Sequence, residues 1–163
     1  MTSSPWGTGT GLDRLRTLAE DLPDHDYVPY SHLGLTLTAV EKGRVELLWT
    51  PDEKVLNRGG VVHGGYIATA LDEACGLAAT GASVPSTPYL TMSLNLDYVR
   101  PLSAGATYTV IASVQRSGAI RTLTRAEVLD SAGRLCAQAT SALTPNRVLL
   151  FEAEQARAMD QAD

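Results

Sequence analysis

Cysteine is scarce in this chain: only Cys75 and Cys136 occur in 163 residues. They are too few and too far apart for a disulfide framework or a thiolate metal site, and are expected as two buried thiols in a reducing cytoplasm. Basic residues are also in deficit, 13 Lys and Arg against 18 Asp and Glu, for a net charge of -5. That balance excludes a basic nucleic-acid footprint but leaves an anionic ligand open, because local charge decides such binding. No stretch approaches the roughly 18 apolar residues of a membrane span. The start, "MTSSPWGTGTG", lacks the basic-then-apolar layout of a secretory signal. The three histidines, His25, His32 and His63, follow no metal-ligand spacing. There is no G-x-S-x-G elbow and no G-x-x-x-x-G-K-[ST] phosphate loop. A serine hydrolase, a P-loop enzyme and a metal or cofactor site therefore have no support in the residues.

Hydrophobic residues make up 44% of the chain, enough for the packed core of one domain. Residues 1–10 are rich in Gly, Ser and Thr and are expected to fray. "GLDRLRTLAEDL" (11–22) spaces its leucines like one helix face, and "LPDHDYVPYSH" reads as a turn-rich connection. "LGLTLTAV" and "RVELLWT", joined by "EKG", predict a hairpin. A glycine-rich loop then leads into an apolar helix from about His63 to Gly81. Ile67, Leu71, Ala74, Cys75 and Ala78 form its apolar face. Beyond it the period changes to two. "YLTMSLNLDYV" sets Leu90, Met92, Leu94, Leu96 and Tyr98 against Thr91, Ser93, Asn95 and Asp97. Three further strands follow, joined by "RSGA" and "DSAG", for a meander of about four strands. "RVLLFEAEQARAMDQ" reads as a C-terminal helix or a docking tail. A helix this apolar must be wrapped, so the expected class is α+β: a curved antiparallel sheet around one long central helix.

The decisive stretch is "NRGGVVHGGYIATALDEACG", residues 57–76. The helix start after His63 presents open backbone N–H groups and the positive end of the helix dipole, and glycines at 64 and 65 admit a close approach. Such an end can polarise a carbonyl oxygen. Asp72 sits on a face with Gly65, Ala68, Thr69, Gly76 and Ala79, which leaves room for a ligand. At 1.5 Å per residue it lies about 12 Å along the axis from Gly64, too far for one carbonyl to meet both. Two copies packed antiparallel would bring the helix start of one to the acid of the other. Against this stands the ordinary case of a helix acid facing water. Glu73, without small neighbours, fits that case better than Asp72.

"N-x-x-G-x-x-H-G-G" with an acid nine residues after the histidine (Asn57, Gly60, His63, Gly64, Gly65, Asp72) resembles the hotdog-fold acyl-CoA thioesterases of the phenylacetate-degradation, PaaI-like group. The resemblance spans about residues 30–145, leaving 1–29 as an N-terminal extension with a short helix and 146–163 as a C-terminal tail. It implies an acyl-CoA or acyl-carrier-protein substrate and no cofactor. The catalytic carboxylate would be Asp72, as nucleophile or as general base toward water. The Gly64 N–H would polarise the thioester carbonyl. Asn57 would position water or thioester, His63 would shape the helix start, Gly60 and Gly65 would lie against substrate, and Thr91 would help to hold the water. It also implies a homo-oligomer, a dimer of dimers. A non-catalytic acyl-CoA binder and a hotdog hydratase are the alternatives within the fold. Arg58, Arg100, Arg121 and Arg125 are candidate partners for CoA phosphates, or solvated surface cations. Tyr66, Leu71, Tyr89, Met92 and Tyr98 are pocket or core residues.

Overall fold

The structure, a computed structural model, describes residues 6–21 and 32–160. The turn-rich connection and the boundary expected near residue 30 lie outside these residues. The elements are α1 (Gly11–Asp21), β1 (Leu35–Glu41), β2 (Arg44–Trp49), a 3-10 turn (Glu53–Val55), α2 (Gly64–Ala82), β3 (Tyr89–Tyr98), β4 (Tyr108–Ser117), β5 (Thr122–Leu129), β6 (Leu135–Pro145) and α3 (Arg147–Asp160). The C-terminal segment is thus a helix.

All strand pairs are antiparallel, and the six strands form one sheet in the order β1-β2-β4-β5-β6-β3. The sheet touches α2 with every strand. The expected apolar face of α2, Ile67, Leu71, Ala74, Cys75 and Ala78, is buried, and Ala70, Leu77 and Ala79 are buried beside it. So many alanines keep the helix thin and let the sheet close around it. Removing one large contact such as Leu71, by substitution with alanine, costs about 2–5 kcal/mol. Trp49, fully buried at the end of β2, donates its indole N–H to the Leu33 carbonyl at 2.7 Å, so its polar edge is satisfied.

The strand order corrects the sequence reading. β4, β5 and β6 do form a meander, because the short turns between them force neighbours to pair. β3 does not pair with β4; it runs along β6 at the far edge. The connection after β3 is no tight turn. It passes across the end of the sheet, where Leu102 is buried, its carbonyl accepts from Val62 N–H, and Gly105 N–H donates to the Pro51 carbonyl.

The expected period-two alternation of β3 is also interrupted. Thr91 is opposite Leu143 and Ser93 opposite Ala142, so Met92 is an unpaired bulge. Leu90 and Met92, which the alternation sets on one face with Leu94 and Leu96, are 51% and 52% exposed, whereas Tyr89, Leu94 and Leu96 pack on the core.

The N-terminal segment, expected to fray, is pinned from residue 7 onward. Gly7 N–H donates to the Ser86 carbonyl at 2.8 Å and Ser86 N–H to the Gly9 carbonyl at 3.1 Å. α1 then docks on the end of α2. A Cβ on Gly11 would lie 1.7 Å from the Thr80 carbonyl oxygen, so only glycine permits this approach. Leu15 packs against Gly81 from the next turn.

Candidate active site

The loop before α2 is shaped by its own side chains. Asn57 Oδ1 accepts from Gly59 N–H at 2.7 Å, and Gly60 N–H donates back to the Asn57 carbonyl at 3.0 Å. Gly60 closes this turn at φ +77°, a left-handed conformation that favours glycine. The carbonyl end of the Asn57 amide is therefore committed to the loop.

At the helix start, His63 Nδ1 accepts from Gly65 N–H at 2.9 Å, a side-chain cap. This arrangement puts the imidazole proton on Nε2. Tyr66 N–H donates to the His63 carbonyl at 2.9 Å, and Ile67 N–H reaches the same oxygen. Gly65 is expected to lie against substrate, but its N–H is thus already used by the protein. Among the described residues the Gly64 N–H meets no acceptor, which makes it the open donor at the positive end of α2. Tyr98, from the end of β3, donates its hydroxyl to the Gly64 carbonyl at 3.0 Å. A Cβ on Gly64 would come within 3.2 Å of the Tyr98 ring. The missing side chain at 64 thus accommodates Tyr98.

Asp72 lies two turns further on and is half-buried. Thr91 donates its hydroxyl to Asp72 Oδ1 at 2.8 Å, and among the described residues no donor reaches Oδ2. Both residues line a cavity of about 300 Å³ between α2 and the start of β3, with Glu73, Gly76, Tyr89 and Leu143. Glu73, read from the sequence as facing water, belongs to that wall. Gly64 opens onto a second cavity of about 300 Å³, lined also by Val61, Val62, Tyr98, Val99 and Arg100.

The structure therefore joins Thr91 to Asp72, and Asn57, Gly60, His63, Gly64 and Gly65 to one another around the helix start. Within a single chain it does not join the two groups. Of the aromatic and apolar candidates, Tyr89 lines the Asp72 cavity, Tyr98 lines the Gly64 cavity, Leu71 is core, and Tyr66 and Met92 are exposed. Among the arginines, Arg125 pairs with Glu127 at 2.7 Å and with Gln138, as a surface cation does. Arg100 bonds the Leu135 carbonyl.

Cys75 abuts this region but is no nucleophile. Burial, with a smaller contribution from the Asp72 charge, pushes its thiol up to about 11 against a hydrogen bond from Thr124. Two features of the site escaped sequence reasoning: the bond to Gly64 from the hydroxyl of Tyr98, a residue expected in pocket or core, and Trp6, which reaches the Asp72 cavity from the N-terminal segment. The position of Tyr98 at the end of an alternating strand was a signal for the first; nothing local signalled the second.

The sequence model of the thioesterase superfamily matches residues 59–137. A Halobacterium salinarum protein provisionally named an esterase is 32% identical over 133 residues, 76% of this chain and 87% of its own length. The chain belongs to the thioesterase superfamily. The medium/long-chain acyl-CoA thioesterase YigI of Salmonella typhimurium is 28% identical over 131 residues, covering 71% of this chain and 84% of YigI. Two solved structures share the fold. The Escherichia coli PaaI protein of the phenylacetic acid degradation operon superposes with TM-score 0.73 at 18% identity, over 83% of this chain and 96% of that one. A Streptococcus mutans protein solved with bound acetyl CoA does so with TM-score 0.65 at 23% identity, over 69% and 88%. The fold is thus the hotdog, α+β with its antiparallel sheet around a central helix. The residues matched by the superfamily model include Gly60, His63, Gly64, Gly65, Asp72 and Thr91, while Asn57 and Trp6 fall outside them.

Proposed function

We propose that this chain is an acyl-CoA thioesterase in which Asp72 activates water and the Gly64 N–H polarises the thioester carbonyl. The observation that carries this reading is the Thr91 hydroxyl on Asp72 Oδ1 at 2.8 Å, at the wall of a cavity. It holds one carboxylate oxygen and leaves the other to take a proton. In the reaction, Oδ2 accepts a proton from water as the oxygen attacks the thioester carbon. The carbonyl oxygen gains negative charge against the Gly64 N–H and the helix dipole. Collapse breaks the C–S bond, the leaving thiolate takes the proton back from Asp72 and so restores its carboxylate, and free acid and CoA thiol are released. A thiolate is a good leaving group, so one base and one polarising donor form a sufficient set. An acyl-carrier-protein thioester presents the same chemistry.

The site is formed by two copies. β3 begins beside Asp72, through Thr91, and ends beside Gly64, through Tyr98. β3 is also a free edge of the sheet, with Leu90, Met92 and Tyr98 exposed on it. A long apolar edge strand is a template for pairing. Antiparallel pairing of β3 with its copy about a two-fold axis sets the Thr91 end of one strand against the Tyr98 end of the other. The Asp72 of each copy then faces the Gly64 of its partner. The resulting dimer is the smallest complete enzyme, and two dimers pair in the full assembly. Such an enzyme works in the cytoplasm, where acyl-CoA is available; among the described residues no helix is long and apolar enough to cross a membrane.

The test is a panel of acyl-CoAs with the released thiol detected by a disulfide reagent, on the wild type, Asp72→Asn and Glu73→Gln. Turnover that is abolished by Asp72→Asn and retained in Glu73→Gln is expected. No turnover on any acyl chain, or the reverse order of the two variants, overturns the reading. Light scattering on the active protein is expected to give a dimer or a dimer of dimers; an active monomer overturns the shared site.

A further inference from the structure

The Asp72 cavity does not end at the carboxylate. Its wall continues along α2 past Gly76 and Leu77 to Thr80, and across to Pro88 and Leu143. Asp72 to Thr80 spans about 12 Å of helix at 1.5 Å per residue. Trp6 completes the wall, and its neighbours place it at the Thr80 end. Gly7 is bonded to Ser86, and Gly11 sits on Thr80.

Trp6 is held from three directions. The Arg14 guanidinium of α1 lies 3.9 Å from the centre of the Trp6 ring, a cation–π contact. The pairing of Gly7 and Gly9 with Ser86 fixes the backbone on one side. Arg157 of α3 donates to the Trp6 carbonyl on the other. Gly7 is needed for this last contact. It adopts φ +81°, and a Cβ there would lie 2.9 Å from Arg157 Nη2. A surface tryptophan needs no such fastening, whereas a residue that must resist a ligand does.

On the thioesterase reading above, we propose that Trp6 is the end wall of the acyl pocket and sets the longest acyl chain the enzyme accepts. With the thioester at Asp72, the acyl chain runs past Gly76 and Leu77 of α2 towards Thr80 and meets the indole. The cavity, about 300 Å³, is at the small end of ligand sites, which span about 300–1,000 Å³. The pocket therefore admits short or medium chains, and the wall turns long ones away. Arg14 and Arg157 are positioning residues that act through Trp6.

The test is kcat/KM across straight-chain acyl-CoAs from acetyl to palmitoyl, for wild type, Trp6→Ala, Trp6→Phe and Arg157→Ala. In the wild type kcat/KM is expected to rise by about fourfold per methylene until the chain meets the indole, and then to fall. Trp6→Ala is expected to move the break to longer chains and leave the shortest substrates within about twofold, as removal of a wall does and loss of a catalytic group does not. Trp6→Phe keeps the wild-type profile, and Arg157→Ala moves it part of the way. Equal loss at every chain length in a folded Trp6→Ala protein, or an unchanged profile, overturns the proposal while leaving the thioesterase reading intact.

A second readout separates the two. Trp49 is fully buried, so an emission change on binding non-hydrolysable acyl-CoA thioethers reports Trp6. The change is expected only for chains long enough to reach the indole, and to vanish in Trp6→Phe. That result without turnover upholds the wall and overturns the thioesterase reading. Neither turnover nor an emission change overturns both.

Discussion

Thr91 and Tyr98 project from the same face of β3, although they lie seven positions apart, an odd offset. In a regular strand they would point to opposite faces. The bulge at Met92 absorbs one residue and turns the remainder of the strand over. Thr91 consequently reaches Asp72 on α2, and Tyr98 reaches Gly64 on the same helix.

Thr91→Val removes the donor to Asp72 while keeping the branched shape. A hydrogen bond to a charged group contributes about 1.5–3 kcal/mol, so kcat is expected to fall by roughly 10- to 100-fold with little change in KM. Thr91→Ser is expected to recover most of the loss. If Thr91→Val turns over like the wild type, the hydroxyl has no part in the chemistry.

Gly64→Pro deletes the N–H at the first helical position, where proline is tolerated. His63 already has the extended backbone, ψ 134°, that a residue before proline adopts. Combining it with Tyr98→Ala relieves the contact on the new ring. Relative to Tyr98→Ala alone, kcat is expected to drop about 10²- to 10³-fold, the usual loss of an oxyanion donor. Mixing this protein with Asp72→Asn and refolding them together discriminates a shared site from a private one. Random pairing makes half the dimers mixed, each with one intact site, so about a quarter of the activity of a mixture carrying both acids and donors returns. No recovery on mixing would assign both groups to a single chain.

The raised Cys75 thiol, about 11, and the raised Cys136 thiol, also a consequence of burial, predict slow reaction with disulfide reagents at pH 8 in the folded protein. Two thiols are expected to appear only on unfolding. For stability the sign follows from the folded value lying above the unfolded one. The contribution is complete below pH 9, the ordinary thiol value, and is lost as pH rises towards 11. Urea midpoints measured from pH 8 to 11 are expected to decline more steeply in the wild type than in Cys75→Ala. Parallel curves would contradict a buried, neutral Cys75.

Ser86 is 1% exposed and its hydroxyl has no partner among the described residues, although its backbone holds the N-terminal segment. Ser86→Ala is expected to stabilise by about 1 kcal/mol, raising Tm by roughly 2–4 °C. A lower Tm in calorimetry would mean that the hydroxyl binds an internal water.

The central helix was legible because its apolar period and its glycines are local signals, and the hairpin because "EKG" admits little else. The place of β3 was not legible. Pairing with β6 depends on a connection whose anchors, Val62 and Pro51, lie far back in the chain. The Met92 bulge is equally invisible in a strand whose letters alternate cleanly, and it alone decides that Leu90 faces outward. Asp72 was picked out by its spacing from His63 and Thr91 by the family resemblance, and their contact is present. The separation of Gly64 from Asp72 followed from helix rise alone. Trp6 was read as part of a fraying end because Ser86, Arg14 and Arg157, which hold it, share no local pattern with it.

The placement of β3 beside β6 also sets an order of assembly. Tyr89 pairs with Pro145, so β3 has no neighbour until almost the whole domain has been synthesised. Contacts this distant in sequence form late and slowly, since the intervening loop must first be closed. During that interval Asp72 is without Thr91, and the apolar edge of β3 lies open. A nascent or truncated chain ending before β6 thus carries every residue of the glycine motif and its acid, yet is expected to be hydrolytically silent and prone to aggregate. With Asp72 and Thr91 in the proposed roles, acyl-CoA hydrolysis is expected to begin only once the last strand has closed the sheet.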